Sequence, residues 1–227
     1  MLYVKPRLNQ RAMFVEALAA QLGQCLKLPC PNPYLVTVNP LHVGLAKGPR
    51  FLAFGSEQVN ERGMSFAIRD LDMLIGLLDK LKLSEAVCAF DEWIANTVRS
   101  PSDVLFDPEG RAFLIDHEGS MENSTHPDSQ VTNWLAMRLI ERLKESEKPG
   151  LLRALRAKTT AAHRAKLEPI PSTVQVAQDG MLIYTALLTF LEERLQHLDK
   201  LLSQRVLPNQ MYLTEQLLTN DDTLGTA

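Results

Sequence analysis

The sequence predicts an α+β protein with a small N-terminal lobe that contains strands and a larger, mainly helical C-terminal lobe. Two observations lead to this fold class. Short runs of β-branched and aromatic residues surround a single helical pattern in the first 60 residues, whereas long helical periodicities dominate the rest. We therefore place the first lobe at residues 1–60, the second at residues 61–220 and a frayed tail at residues 221–227.

Composition excludes several classes of protein. The chain has 227 residues, of which 45% are hydrophobic, enough for one large core or two small lobes that share a cleft. Its net charge of −3 and pI of about 6.0 argue against a broad surface for nucleic acid or an anionic membrane. No apolar run is long enough to span a bilayer, and the first residues, MLYVKPRL, lack the apolar region of a signal peptide. We expect a cytoplasmic protein.

The N-terminal lobe should begin with a short strand at residues 2–5. A helix capped by Asn9 should run to residue 28, because Phe14, Leu18, Leu22 and Cys25 recur at close to the helical period. Two strands should follow at residues 33–38 and 51–54. The three cysteines are sparse and lack C-x-x-C spacing, so we expect reduced thiols.

The C-terminal lobe is organised around residues 89–121. A helix that Ser84 can cap should be buried up to Asn96, and two apolar runs at residues 104–106 and 112–115 should form a hairpin. The hairpin turn has Pro108 at its second position and Gly110 at its fourth, and Asp116 follows the second strand. The remaining helices are predicted at residues 66–81, 128–147, 151–167, 181–206 and near 210.

This central stretch resembles the catalytic loop and metal-binding segment of HipA-like kinases, bacterial relatives of protein and phosphoinositide kinases. That family reads F-D, a buried helix end, N-x-D-R-H-x-x-N, a hairpin and L-I-D-H. Matches in order and spacing are Phe90-Asp91, Asn96, Arg99 and Leu114-Ile115-Asp116-His117. Three positions depart from the family pattern: Val98 replaces the catalytic Asp, Ser100 the His, and Asp103 the metal-binding Asn.

The resemblance implies a shortened two-lobe kinase-like fold with weakly bound ATP and Mg²⁺ as ligands. It places Asn96, Arg99, Asp103 and Asp116 in the catalytic region, with Asp103 and Asp116 as the metal ligands. Asn96, Asp103 and Asp116 should face one cleft, which Lys5 approaches from the other lobe.

The resemblance also implies a nucleotide site in the N-terminal lobe. Lys5 would contact the phosphates and pair with Glu16, and the adenine edge would meet the backbone near Phe54. Only four residues precede Lys5, so we expect the hairpin with the Gly-rich phosphate-covering loop to be missing from this chain.

Val98 at the position of the catalytic Asp and the missing phosphate-covering loop indicate impaired catalysis. Val98 has no lone pair to accept the proton of an attacking hydroxyl, a role commonly worth about 10²–10⁴-fold in rate. We also expect a buried Val98 to stabilise its loop. The leading hypothesis is a degenerate HipA-like pseudokinase or protein-interaction module, whose partner is another protein rather than a membrane or nucleic acid.

Two alternatives remain open at this stage. One is an active Ser/Thr-type phosphotransferase in which Asp103 or Asp116 replaces the base, and whose missing hairpin lies upstream or on a partner. The other is a non-enzymatic helical interaction protein with a plain buried helix and surface hairpin.

Overall fold

The computed structural model describes residues 1–59, 66–164 and 178–208. Its elements in chain order are β1 (Leu2–Lys5), α1 (Gln10–Cys25), β2 (Pro33–Val38), β3 (Phe51–Glu57), β4 (Phe66–Ala67), α2 (Leu71–Lys80), α3 (Ser84–Trp93), β5 (Val104–Phe106), β6 (Ala112–Leu114), α4 (Trp134–Glu141), α5 (Lys148–Arg164) and α6 (Gln178–Val206). Short 3₁₀ turns lie at Pro40–Val43 and Pro101–Asp103.

The N-terminal strands form an antiparallel sheet in the order β1-β3-β2. Lys5 at the end of β1 pairs with Phe54 of β3, and Phe54 pairs on its other side with Leu35 of β2. The three strands predicted from the sequence pattern are therefore present, and β3 extends three residues beyond its predicted end. β1 is an edge strand of this sheet, and Lys5, its last residue, lines the cavity that is described below.

Helix α1 is buried on nearly all sides because it packs against β2 and β3 and also against α6. The Asn9 side chain accepts a hydrogen bond from the Ala12 amide at 2.8 Å, as expected for an N-terminal cap. Phe14 and Leu18 join the main hydrophobic core, where they share one cluster with Phe90 and Trp93 of α3. This close packing fixes Glu16, in the middle of α1, beneath the cleft.

A second antiparallel sheet has the order β4-β5-β6. The predicted hairpin is confirmed: Gly110 has φ +79° and its amide donates to the Asp107 carbonyl at 2.9 Å. The prediction of a helix from residue 66 is wrong at its start, because Phe66–Ala67 pairs with β5 as a strand. Helix α2 begins only at Leu71, where Asp70 accepts from the Met73 amide at 2.7 Å.

The other helices follow the predicted order with shifted ends. The predicted helix at residues 128–147 is much shorter, because Asn133 caps α4 by accepting from the Ala136 amide at 3.0 Å. Ser84 is the first residue of α3 rather than its cap, and its hydroxyl donates to Asp79. The helix predicted near residue 210, the tail at residues 221–227 and the end of the helix predicted to reach residue 167 lie outside the described residues.

Within the described ranges, no helix is both long and apolar enough to cross a membrane. All three cysteines are free thiols, with Cys30 and Cys88 buried and Cys25 exposed.

Candidate functional site

A cavity of about 540 Å³ lies between the N-terminal sheet and the β5–β6 hairpin. One wall is apolar, with Phe54, Leu105 and Leu114. Lys5 and Asp116 supply charge at the same cavity. A concave site of this volume with an apolar wall and a few converging polar groups is typical of a small-molecule site.

Lys5, which lines this cavity, is the centre of a charged cluster. Its Nζ lies 2.5 Å from Glu16 Oε1, 2.5 Å from Asp116 Oδ1 and 3.0 Å from Glu118 Oε2. The structure thus brings together Lys5, Glu16 and Asp116, three of the residues selected from the sequence. The cluster has one positive and three negative charges, so its net charge is −2.

The pKa values of the Lys5–Glu16 pair are shifted by burial and by the pair itself. Burial opposes the charged ammonium of Lys5, but the charge of Glu16 and the hydrogen bonds to Asp116, Glu16 and Glu118 outweigh it and raise the Lys5 pKa. Burial also raises the pKa of Glu16, against the charge of Lys5. The raised pKa of Lys5 requires an ionised Glu16 beside it, whereas the raised pKa of Glu16 favours the protonated carboxyl group. We assign it as a carboxylate, because it accepts both from Lys5 at 2.5 Å and from the His117 amide at 2.9 Å.

Asp116 adopts a left-handed backbone conformation with φ +56°. This region is uncommon for residues other than glycine, although Asp tolerates it better than most, and it often marks a constrained functional position. The peptide groups on both sides are held in place: the Ile115 carbonyl accepts from Arg99 Nη1 at 2.7 Å, and the His117 amide donates to Glu16. This backbone geometry fixes the Asp116 carboxylate near Lys5.

Arg99 forms a buried network beneath this segment. Its guanidinium donates to Asp91 through Nε at 3.1 Å and through Nη2 at 2.9 Å, while Nη2 also lies 2.9 Å from His117 Nδ1. Burial raises the pKa of Asp91, although the Arg99 charge works in the opposite direction. Arg99 is thus a positioning residue that links the end of α3 to the segment that carries Asp116.

The remaining catalytic-region residues do not reach the cavity. Neither Asn96, Arg99 nor Asp103 lines it. Asn96 is buried, and its Oδ1 accepts from the Val98 amide at 3.1 Å. The expectation that Asn96 and Asp103 face the cleft is therefore not met at this cavity, because local hydrogen bonds orient both side chains.

Asp103 is held by the 3₁₀ turn in which it lies. Its carboxylate accepts from the Ser100 amide at 2.7 Å, the Ser100 hydroxyl at 2.9 Å and the Ser102 hydroxyl at 3.3 Å. This reciprocal capping arrangement uses three of the about four acceptor sites of the carboxylate and holds it in the turn, and Asp103 does not line the cavity. Asp103 is consequently a poor candidate for the second metal ligand predicted from the sequence.

Val98 also differs from expectation, whereas Phe54 lies at the cavity. Val98 is 52% exposed rather than buried, and it packs on Gly119, where an added Cβ would clash with Val98 Cγ2. Phe54 is one of the residues that line the cavity. Its backbone lies in the central strand of a three-stranded sheet, where the polar groups face neighbouring strands. Contact of the adenine edge with the backbone near Phe54 stays a prediction.

His117 should remain neutral at pH values well below the usual pKa of a histidine. Burial, followed by the charges of Arg99 and Lys5, lowers the His117 pKa well below 6.5, although the Leu114 backbone opposes the shift. Because Arg99 donates to Nδ1, the proton of the neutral ring lies on Nε2, which has no hydrogen-bond partner of good geometry in the described part of the chain.

This shift predicts a loss of stability in mild acid. Below pH 6.5 the unfolded chain binds a proton at His117 that the folded chain does not, so stability falls as pH falls towards the folded pKa. We expect the wild type to lose about 1 kcal/mol more than His117→Asn between pH 7.0 and 5.5. Urea unfolding at both pH values measures this. Equal losses in the two proteins would contradict the neutral, buried assignment.

Sequence reasoning missed two residues of this site. Glu118 binds Lys5, and Asp91 anchors Arg99. The F-D match drew attention to Asp91 without assigning it a role, whereas an acidic residue in a polar loop gives no signal that distinguishes Glu118 from an ordinary exposed side chain.

No protein-family model and no curated protein matches this chain. Among solved structures, the Helicobacter pylori proinflammatory kinase CtkA is similar, with a TM-score of 0.54 and 10% sequence identity over 92% of this chain and 88% of that chain. At this identity the similarity establishes the fold alone. The chain has a two-lobe, kinase-like α+β fold, as the sequence predicted.

Proposed function

We propose that this chain is a degenerate HipA-like kinase, a pseudokinase that holds Mg-nucleotide weakly in its cleft and acts through another protein. The observation that carries this proposal is the contrast between an assembled Lys5–Glu16–Asp116 cluster and the apolar Val98 in the neighbouring loop. A Lys–Glu–Asp cluster is the arrangement by which kinases hold phosphates and metal. Val98, in contrast, lacks the group that activates the acceptor hydroxyl.

The residues of the cavity fit a magnesium nucleotide. The net charge of −2 around Lys5 repels a free triphosphate, so a divalent cation should be needed for binding. Asp116 can bind Mg²⁺ through an oxygen. Within the described residues, no three His, Cys, Asp or Glu side chains are grouped to hold a metal, so the ion would have to take its other ligands from phosphate and water.

The apolar wall offers a place for the base of a nucleotide. Phe54 and Leu105 would contact its faces, while Lys5 and Asp116 lie on the charged side of the same cavity. Bound Mg-ATP would bring a transferable phosphoryl group, but the side chains present chiefly bind and orient it.

No side chain of the loop offers a ready general base. Val98 has no lone pair, the Asp103 carboxylate is occupied by three donors, and the Asp116 carboxylate is paired with Lys5. These contacts argue against the rival in which Asp103 or Asp116 restores catalysis. The charged cluster argues against a helical interaction protein without a ligand site.

Phosphoryl transfer should therefore be absent. With labelled ATP and Mg²⁺, we expect wild-type autophosphorylation to equal the background of Asp116→Ala. Val98→Asp should gain less than about tenfold over its uncharged isostere Val98→Asn, well below the effect of a positioned base. The reason is that the new carboxylate would lie next to Gly119. The segment that contains Gly119 also carries the negative charges of Asp116 and Glu118, which would repel the carboxylate.

One outcome would contradict the absence of phosphoryl transfer. If the wild type transfers phosphate as fast as an active HipA-like kinase, and Val98→Ala leaves that rate unchanged, the chain is an enzyme whose base lies elsewhere.

A further inference from the structure

The ammonium group of Lys5 has as many acceptors as it has protons. Oxygens of Glu16, Asp116 and Glu118 all lie within 3.0 Å of Nζ, and an ammonium has three N–H donors. In this arrangement none of the three is left for an incoming phosphate. A phosphate can therefore bind Lys5 closely only if one carboxylate moves away.

Glu16 and Asp116 are poorly placed to move. The Glu16 side chain is 2% exposed and also accepts from the His117 amide, so its departure would leave a buried donor unpaired. The Asp116 side chain is 41% exposed, but its contact with Nζ is shorter, at 2.5 Å, and the peptide groups on both sides of it are held by Arg99 and Glu16.

Glu118 is the most easily displaced of the three. Its contact with Lys5 is the longest, at 3.0 Å, and its side chain is 46% exposed. Across residues 1–59, 66–164 and 178–208, Glu118 forms a hydrogen bond or ion pair with Lys5 alone. Solvent can replace this contact at little cost, since exposed ion pairs contribute little to stability.

We propose that Glu118 competes with ligand phosphate for Lys5 and so determines how tightly the cleft binds polyphosphates. This role rests on the proposed function, because it assigns Glu118 a part in the same nucleotide site. Removing the Glu118 charge frees one N–H of Lys5 and changes the cluster from net −2 to net −1. Both effects favour an anionic ligand.

The test compares Glu118→Gln with the wild type by calorimetric titration of two probes, tripolyphosphate with Mg²⁺ and Mg-ATP. Glutamine keeps the size of the side chain and removes its charge. We expect about fivefold tighter binding of both probes, which corresponds to the upper range for an exposed ion pair. Glu118→Asp, which keeps the charge, should remain within about twofold of the wild type.

Glu109→Gln is the matched control. Glu109 is exposed in the turn of the β5–β6 hairpin, where it faces Arg111 rather than Lys5. Its replacement removes the same charge from the chain and should leave both affinities unchanged. Equal gains in Glu109→Gln and Glu118→Gln would contradict the proposal, because they would reflect net charge alone.

The two probes separate the inference from the proposed function. If the wild type binds Mg-ATP and Glu118→Gln binds it no more tightly, the competition is refuted while the nucleotide site stands. If Glu118→Gln gains affinity for tripolyphosphate but neither protein binds Mg-ATP, the competition stands and the nucleotide site is refuted. If neither protein binds tripolyphosphate, the competition is refuted.

Discussion

Replacing Arg99 with Met is expected to lower the free energy of unfolding by about 3–5 kcal/mol. The substitution leaves the Asp91 carboxylate fully buried without its bidentate partner, which is far more costly than losing both charges. It also removes the donors to the Ile115 carbonyl and to His117 Nδ1. Urea unfolding monitored by circular dichroism measures the loss.

Two further variants show whether burial is the reason. Arg138→Met breaks an exposed pair with Asp72 and should cost far less than Arg99→Met, because solvent screens exposed charges. In the double variant Asp91→Leu with Arg99→Met, most of the loss should be recovered, because no unpaired buried charge remains. A cost for Arg99→Met as small as that for Arg138→Met would contradict the assignment of Arg99 as the residue that fixes the Asp116 segment.

Much of the fold could be predicted because its signals are local. Asn9 before an apolar helical pattern, and Pro108 and Gly110 in a four-residue turn, each specify a backbone geometry by their own chemistry. Phe66–Ala67 could not be assigned in this way. Two apolar residues before an amphipathic helix fit its period, and only pairing with β5, distant in sequence, makes them a strand.

The site was predictable only in part for a similar reason. Lys5, Glu16 and Asp116 come together as the family pattern implied, because a strand end, a buried helix and a hairpin end converge. Matching spacing could not reveal that the side chains of Asn96 and Asp103 are satisfied by hydrogen bonds of their own loop. Those hydrogen bonds depend on backbone conformation rather than on residue order.

Lys5→Met and Asp116→Ala are each expected to weaken Mg-ATP binding by at least about tenfold. Lys5 supplies the cationic N–H donors for phosphate, and a charge-assisted hydrogen bond contributes about 1.5–3 kcal/mol. Asp116 supplies the oxygen that faces Lys5 and would bind Mg²⁺. Lys80→Met, at an exposed position near the end of α2, removes the same charge as Lys5→Met and should leave binding unchanged.

Calorimetric titration of Mg-ATP into the wild type, Lys5→Met, Asp116→Ala and Lys80→Met tests the central claim most directly. We predict a dissociation constant of about 100 μM or weaker for the wild type and for Lys80→Met, and no measurable heat for the other two variants. Submicromolar binding that disappears in Asp116→Ala would contradict the weak affinity but support the site. Binding that is unaffected by both Lys5→Met and Asp116→Ala would contradict the claim that this cleft is the nucleotide site.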